Sequence, residues 1–215
     1  MTDDPLELDS AAWEPRALYF LLTGLVIPRP IAWVSTVSED GVRNLAPHSY
    51  FNVVANDPPH VLFVSTGVKD TLRNVRATGE FVVNVVTLDL VEEMNATAAD
   101  APAGVDEFGW VGLDAAPSVT VTPARVARAK AHLECRVVHD LPIGNGNLVV
   151  GEVTHVHVDP SVWTDGRIDP QKLDPVGRLS GSSYATLGEV FTLDRPSWAD
   201  IADADPADRI PRRAT

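Results

Sequence analysis

The stretch "PRPIAWVSTVSEDGVRNLAPHSYFN", residues 28–52, decides the fold. Asp40-Gly41 stands between the apolar runs "IAWVSTVS" and "VRNLA", the strongest short-range signal for two antiparallel strands joined by a tight turn. In the second strand Asn44, His48, Ser49 and Asn52 interleave with Leu45, Pro47, Tyr50 and Phe51. Polar groups so placed can read the edge of a flat heterocycle, or they can face water, and periodicity does not separate the two. His48 is open to two readings in the same way, as a general base or as a hydrogen-bonded side chain.

Working outward, "HVLFVST", 60–66, is a continuous apolar run that predicts a buried strand. The next residues, "STGVKDTLRNVRATGEF", 65–81, carry Lys69, Arg73 and Arg76 against one acid, Asp70. They predict a helix over 71–78, with Asp70 as N-cap and Gly79 ending it. A helix N-terminus beside Lys69 and the hydroxyls of Ser65, Thr66 and Thr71 suits a phosphate. On spacing alone, a capped surface helix with solvated basic side chains is the better reading. A strand follows at 81–87 and a helix in "LDLVEEMNATAA", 88–99. Upstream, a short helix covers 14–22. Residues 99–118 are irregular, but Phe108, Trp110 and Leu113 imply that they pack on something. Residues 118–158 read as further strands with a turn in "IGNGN", 143–147, and Asp165-Gly166 marks another turn.

Many short strands with few helices predict an antiparallel barrel or sandwich. No strand-helix alternation carries G-x-G-x-x-G, and there is no phosphate-binding loop of the G-x-x-x-x-G-K type, so neither nucleotide fold is expected. With 17 Lys+Arg against 30 Asp+Glu the formal net charge is -13, which argues against a nucleic-acid partner. One cysteine, Cys135, excludes an internal disulfide and reads as a buried thiol. The acidic N-terminus is no signal peptide, and the apolar run at 17–27 is too short for a membrane span, which needs about 20 residues. A cytoplasmic protein without membrane contact is the expectation. His155 and His157 share a strand face, and His132, Cys135 and His139 lack a zinc spacing, so no metal site is expected. Ser180, Ser182 and Ser183 form no nucleophile elbow.

Four segments in order, "PRPIAWVST", "DGVRNLAPHSYFN", "DPPHVLFVS" and "KDTLRNVRATGEFVVNVV", closely resemble the flavin reductase-like family of FMN-binding split barrels, which includes flavoredoxins. The likeness runs from about Tyr19 to Val86 and continues more weakly through "DEFGWVGL", "AHLECRV", "GEVTHVHV" and "RLSGSSYATL". It implies a mainly β fold with added helices, a six-stranded antiparallel Greek-key split barrel over 14–198. Residues 1–13 are then an extension and 199–215 a disordered tail. It implies a homodimer holding FMN near the subunit interface. Hydride would pass from NADH or NADPH to flavin, and reduced flavin to an oxygenase partner or another acceptor. A flavoredoxin-like electron carrier is the alternative. The flavin contacts it implies are Ser35, Thr36, Asn44, Leu45, Ala46, Ser49, Ser65, Lys69, Asp70 and Thr71, with Asn74 and Arg178 as additions. Lys69 and Thr71 hold the phosphate in that mapping, and no catalytic side chain is required. The chain departs from the family's Gly-Gly pair after Arg-Leu, carrying Ser180-Gly181.

Overall fold

The computed structural model describes residues 7–205 and residue 210. Seven strands form one antiparallel sheet: β1 (Ala32–Val37), β2 (Arg43–His48), β3 (Phe51–Asn56), β4 (Pro59–Thr66), β5 (Glu80–Val85), β6 (Ala131–Ile143) and β7 (Gly146–Val158). Their order across the sheet is β2-β1-β5-β6-β7-β4-β3. Asp40-Gly41 does join β1 to β2, with Gly41 at φ 83°, a left-handed conformation that glycine adopts without strain.

The outer strands β2 and β3 are consecutive in sequence, separated by Ser49 and Tyr50. Both ends of that link reach β4: Val64 donates its N–H to the Tyr50 carbonyl at 2.9 Å, and His48 Nδ1 lies 3.3 Å from the Val64 carbonyl. The sheet edges therefore meet, and the sheet curls into a barrel. The single strand expected after Gly41 is broken at this bend, giving seven strands where the family pattern implied six.

Alternation along the strands divides the apolar side chains between two cores. Ala32, Val34, Phe63, Phe81, Cys135 and Val149 fill the barrel, closed by Leu72 and Val75 of α2 (Asp70–Thr78). Trp33 and Leu45 point the other way and pack with Leu90, Met94 of α3 (Val91–Ala96) and Phe108 of α4 (Glu107–Trp110). β4 alternates, burying Val61, Phe63 and Ser65 while its other face stays partly open, so it is not the uniformly buried strand the run suggested.

Several expected boundaries move. α1 (Pro15–Leu25) extends three residues past 22 and takes Gly24 inside, because Val26 N–H still closes on the Leu22 carbonyl at 3.0 Å. The helix expected over 88–99 is a 3₁₀ turn, Leu88–Leu90, followed by α3, since Leu90 at φ -124°, ψ 3° leaves helical geometry. The irregular 99–118 contains α4, whose first N–H groups are capped by Asp106. Phe108 and Leu113 there are buried as expected, while Trp110 is exposed. Residues 118–122 form no strand, because the Val119 and Thr120 N–H groups bond to the Glu134 carboxylate instead of a neighbouring strand. The turn at Asp165-Gly166 is present, joining Trp163–Thr164 to Arg167–Ile168. The expected tail begins with a helical turn, Trp198–Ile201, capped by Ser197. The rest of that expectation, at 206–209 and 211–215, and residues 1–6 of the N-terminal extension, lie outside the described residues. Among the described residues no helix is long and apolar enough to cross a membrane.

Candidate functional site

β4 ends at Ser65-Thr66, the chain turns through Gly67 at φ 74°, and Lys69 enters α2 in extended geometry. Among the described residues no side chain caps α2. Asp70 is the first helical residue rather than the N-cap, and its carboxylate is bound by Arg73 one turn on. The N-terminal N–H groups of α2 therefore have no side-chain acceptor, and the acid expected to compete for them is turned away and neutralised. At the other end Gly79 stops the helix at φ 71°, as read from the sequence.

The second face of the site is β2. Asn44 Nδ2 donates to Thr36 Oγ1 at 3.2 Å and to Thr71 Oγ1 at 3.0 Å, and Asn74 Nδ2 donates to Thr36 Oγ1 at 3.0 Å. A hydroxyl that accepts keeps its own proton to give, so Thr71 remains a donor at the first turn of α2. This network tethers the helix start to the strand and fixes the Thr71 rotamer.

Between these walls lies a cleft with two lobes. The first, about 280 Å³, is lined by Asn44, Ala46, Lys69, Asp70, Thr71 and Arg73, with residues 97–101 and Glu107 opposite. The second, about 290 Å³, is lined by Tyr19, Ser49, Tyr50, Ser65, Thr66 and Asn145. Pro47, His48 and Lys69 line both, so the lobes adjoin. The cleft thus gathers Asn44, Ala46, Ser49, Ser65, Lys69, Asp70 and Thr71. Three expected contacts lie behind it. Ser35 is buried and donates to the Ala124 carbonyl at 2.6 Å, Thr36 is buried beneath Asn44 and Asn74, and Leu45 packs in the Trp33 core. Asn74 supports Thr36 from α2, and Arg178 lies over the Tyr184 ring. Ser180 packs on α1, 3.3 Å from the Thr23 hydroxyl. Arg76 is drawn off to Asp140 and Asn147.

Lys69 Nζ reaches Asp100 at 3.1 Å across the mouth of the cleft, an exposed pair that a stronger anion can displace. The His48 ring is enclosed against Phe63. Its Nδ1 faces a carbonyl, which fixes the proton there, and leaves Nε2 as a buried acceptor without a partner among the described residues. Burial pulls its pKa down to about 4, with Lys69 adding to the effect against the Val64 bond, so the imidazole is neutral at ordinary pH. A neutral ring that cannot easily gain a proton is an orienting acceptor rather than a base working near pH 7.

Glu107 was not singled out by sequence reasoning. Its Oε2 accepts the Leu45 N–H, the one that points away from β1, at 3.0 Å. Burial raises its pKa, opposed by the Leu45 bond and reinforced by Asp70 and Asp106. The signal that could have found it is Asp106, an N-cap residue placing the next side chain in the first turn of a helix. A cation, an uncapped helix start, a free hydroxyl proton and an orphaned buried acceptor along one cleft fit a ligand with an anionic end and a planar polar end.

The sequence profile of the family described as flavin reductase like domain matches residues 24–170. An uncharacterised protein of Halalkalibacterium halodurans is 40% identical over 204 residues, covering 89% of this chain and 97% of its own. Nitrilotriacetate monooxygenase component B from Bacillus cereus is 35% identical with a TM-score of 0.86, covering 89% of this chain and all 100% of its own. A Shewanella frigidimarina structure described as a flavin reductase with a split barrel domain superposes with a TM-score of 0.81 at 22% identity, over 89% of this chain and 100% of that one, a likeness of fold.

Proposed function

Since the chain belongs to the flavin reductase-like family, we propose that its two-lobed cleft holds FMN and that the protein is an NAD(P)H-dependent flavin reductase. The observation that carries this reading is the uncapped start of α2 beside Lys69 and Thr71, adjoining the lobe along β2. Lys69 and the Thr71 hydroxyl take the phosphate, with the α2 N–H groups completing the anion site. Asp70 shapes the turn and is kept from repelling the phosphate by Arg73. Asn44, Ala46 and Ser49 line the path of the ring system, and His48 orients from behind with its Nε2 acceptor. The bound flavin itself supplies the redox chemistry at N5. The chain's part is to bind, to orient and to keep one face of the ring open for a nicotinamide.

The similarity to a monooxygenase component supports an oxygenase partner as the consumer of reduced flavin. A homodimer is part of the same proposal, because Tyr19 brings α1 to the second lobe while most of that helix is exposed among the described residues. A cytoplasmic location fits the single buried Cys135.

The test is direct. Purified protein should be yellow or turn yellow with FMN, and the flavin absorbance should bleach on a turnover timescale when NADH or NADPH is added without oxygen. A flavin that binds but stays oxidised with both nicotinamides removes the reductase reading and leaves an electron carrier.

A further inference from the structure

Three acids line the α2 lobe of the cleft: Asp70, Asp100 and Glu107. Arg73 binds Asp70 and Lys69 binds Asp100. Among the described residues Glu107 has no cation bound to it. The residue is 7% exposed, and its carboxyl is pinned by the Leu45 N–H. Leu45 follows Asn44, whose amide holds Thr71 on the first turn of α2, so the carboxyl sits beside the anion site.

The charges that face Glu107 can be counted by element. From α2 and its lead-in come Lys69, Asp70 and Arg73; from β2, Arg43 and the neutral His48; from α4, Asp106; from residues 97–101, Asp100. Arg43 is bound to Asp106, and Arg73 to Asp70, so both arginines are engaged, while the two acids still act on Glu107. Among the described residues that line this lobe, Lys69 is the cation left for an incoming phosphate. When phosphate takes Lys69, Asp100 is released to water, where its side chain already is, 90% exposed. Glu107 cannot leave in that way. A carboxylate held in a closed site next to an arriving phosphate raises the free energy of both charges, and a proton from solvent relieves it.

We propose that Glu107 takes up a proton when the phosphate of FMN enters the cleft, making it a specificity residue that links cofactor affinity to pH. This rests on the flavin reading above. The protonated carboxyl keeps one oxygen for the Leu45 N–H and gains an O–H donor in the lobe. Burial and the neighbouring acids Asp70 and Asp106 already push Glu107 toward its neutral form before any ligand arrives.

Calorimetric titration of the apoprotein with FMN, in two buffers of different ionisation enthalpy from pH 5 to 9, counts the protons taken up. The same titration with riboflavin, which has no phosphate, is the control. Wild type should take up more protons per FMN than Glu107→Gln, by up to about one, and its FMN Kd should rise with pH by up to about tenfold per unit more than that of the variant. Riboflavin should show no such difference between the two proteins. Equal proton uptake by two proteins that both bind FMN overturns the inference and leaves the flavin reading standing. A proton difference that appears equally with riboflavin also overturns it, because the phosphate would not be its cause. Protein that binds no FMN overturns the flavin reading and this inference together. In wild type alone, the Glu107 side-chain carboxyl ¹³C shift should move toward the protonated position on FMN addition, and a shift that stays ionised throughout overturns the inference without any variant.

Discussion

Lys69 and Thr71 meet the cleft through different chemistry. Lys69 brings charge on a flexible stem and, in the proposed reading, would exchange Asp100 for phosphate, whereas Thr71 is locked by Asn44 and offers one directed proton. Lys69→Ala and Thr71→Ala should each weaken FMN binding by about 1–3 kcal/mol, read by flavin fluorescence quenching. Unchanged affinity in both would remove the phosphate assignment. Their place at a helix start was legible from the strand, the glycine turn and the helix, but that spacing alone favoured a solvated surface helix, and only the family resemblance assigned them to a phosphate. Ser35, Thr36 and Leu45 were not legible, because alternation along β1 and β2 gives two faces and does not say which one the cleft occupies when both are buried. Glu134 was invisible for another reason: its partners come from distant segments. It accepts from Val119 N–H at 2.8 Å, Thr120 N–H at 2.6 Å, Thr120 Oγ1 at 2.7 Å and His157 Nε2 at 2.6 Å. Burial pushes its pKa up, yet these bonds outweigh burial and hold it at about 2. A carboxyl whose folded pKa is depressed stabilises the fold above its unfolded pKa, and that stability is lost as pH falls toward the folded value. Thermal unfolding of wild type should therefore weaken between about pH 4.5 and pH 2 in a way that Glu134→Gln does not share. Glu134→Ala, which strands two part-buried N–H groups and a histidine, should cost about 1–3 kcal/mol at pH 7. An identical acid profile in wild type and the Gln variant would assign the acid loss to other groups.

Among the elements, the β6–β7 hairpin is the longest and the most bent, with register shifts at Val150/Gly151 and Val153/His155. The first shift places Gly151 over the barrel interior. A Cβ there would lie 2.4 Å from Phe81 Cζ and 3.1 Å from Cys135 Cβ, too close for any side chain unless the ring moves. Phe81 is itself packed edge-on to Phe63 at 5.2 Å, so it has little room to move. Gly151→Ala should cost about 1–3 kcal/mol, seen as a lower urea midpoint, and Phe81→Leu in the same chain should restore part of it. A double variant no more stable than Gly151→Ala would show that the ring is not the obstacle. The hairpins at Asp40-Gly41 and Asp165-Gly166 were readable because their turn residues set the geometry locally. The bend at Ser49-Tyr50 was not, since its cause is tertiary: Tyr50 and His48 are drawn to Val64 of β4. The same holds for residues 118–122, whose strand-like alternation yields to the buried Glu134.

At the scale of the whole molecule, the barrel and its two cores account for the inward-facing apolar residues but leave one helix unexplained. α1 has eleven residues, mostly apolar, and buries only Thr23. Tyr19, Phe20, Leu22, Leu25 and the following Val26 and Ile27 are all exposed. The edge strand β3 likewise exposes Val53 and Val54, although exposed edge strands are ordinarily blunted by charge. A helix that is apolar on its outer face and an edge strand that is apolar on its exposed side need a partner surface. Ser49, Tyr50 and Phe51 join the two features, since they line a shared groove with Leu22 and Val26. A net charge of -13 opposes self-association at long range, so the contact must be carried by apolar burial at close range. The partner proposed for this surface is a second copy of the chain, which would bring the second lobe of the cleft close to the interface, because Tyr19 of α1 lines that lobe. Sedimentation should give a dimer whose association strengthens with salt, as screening lowers the like-charge repulsion. Leu25→Glu and Val54→Glu should each shift it toward monomer by more than about 1 kcal/mol. FMN affinity should fall in the monomeric variants if the interface helps to shape the second lobe. A monomeric wild type, or variants that remain fully dimeric, would place the contact elsewhere.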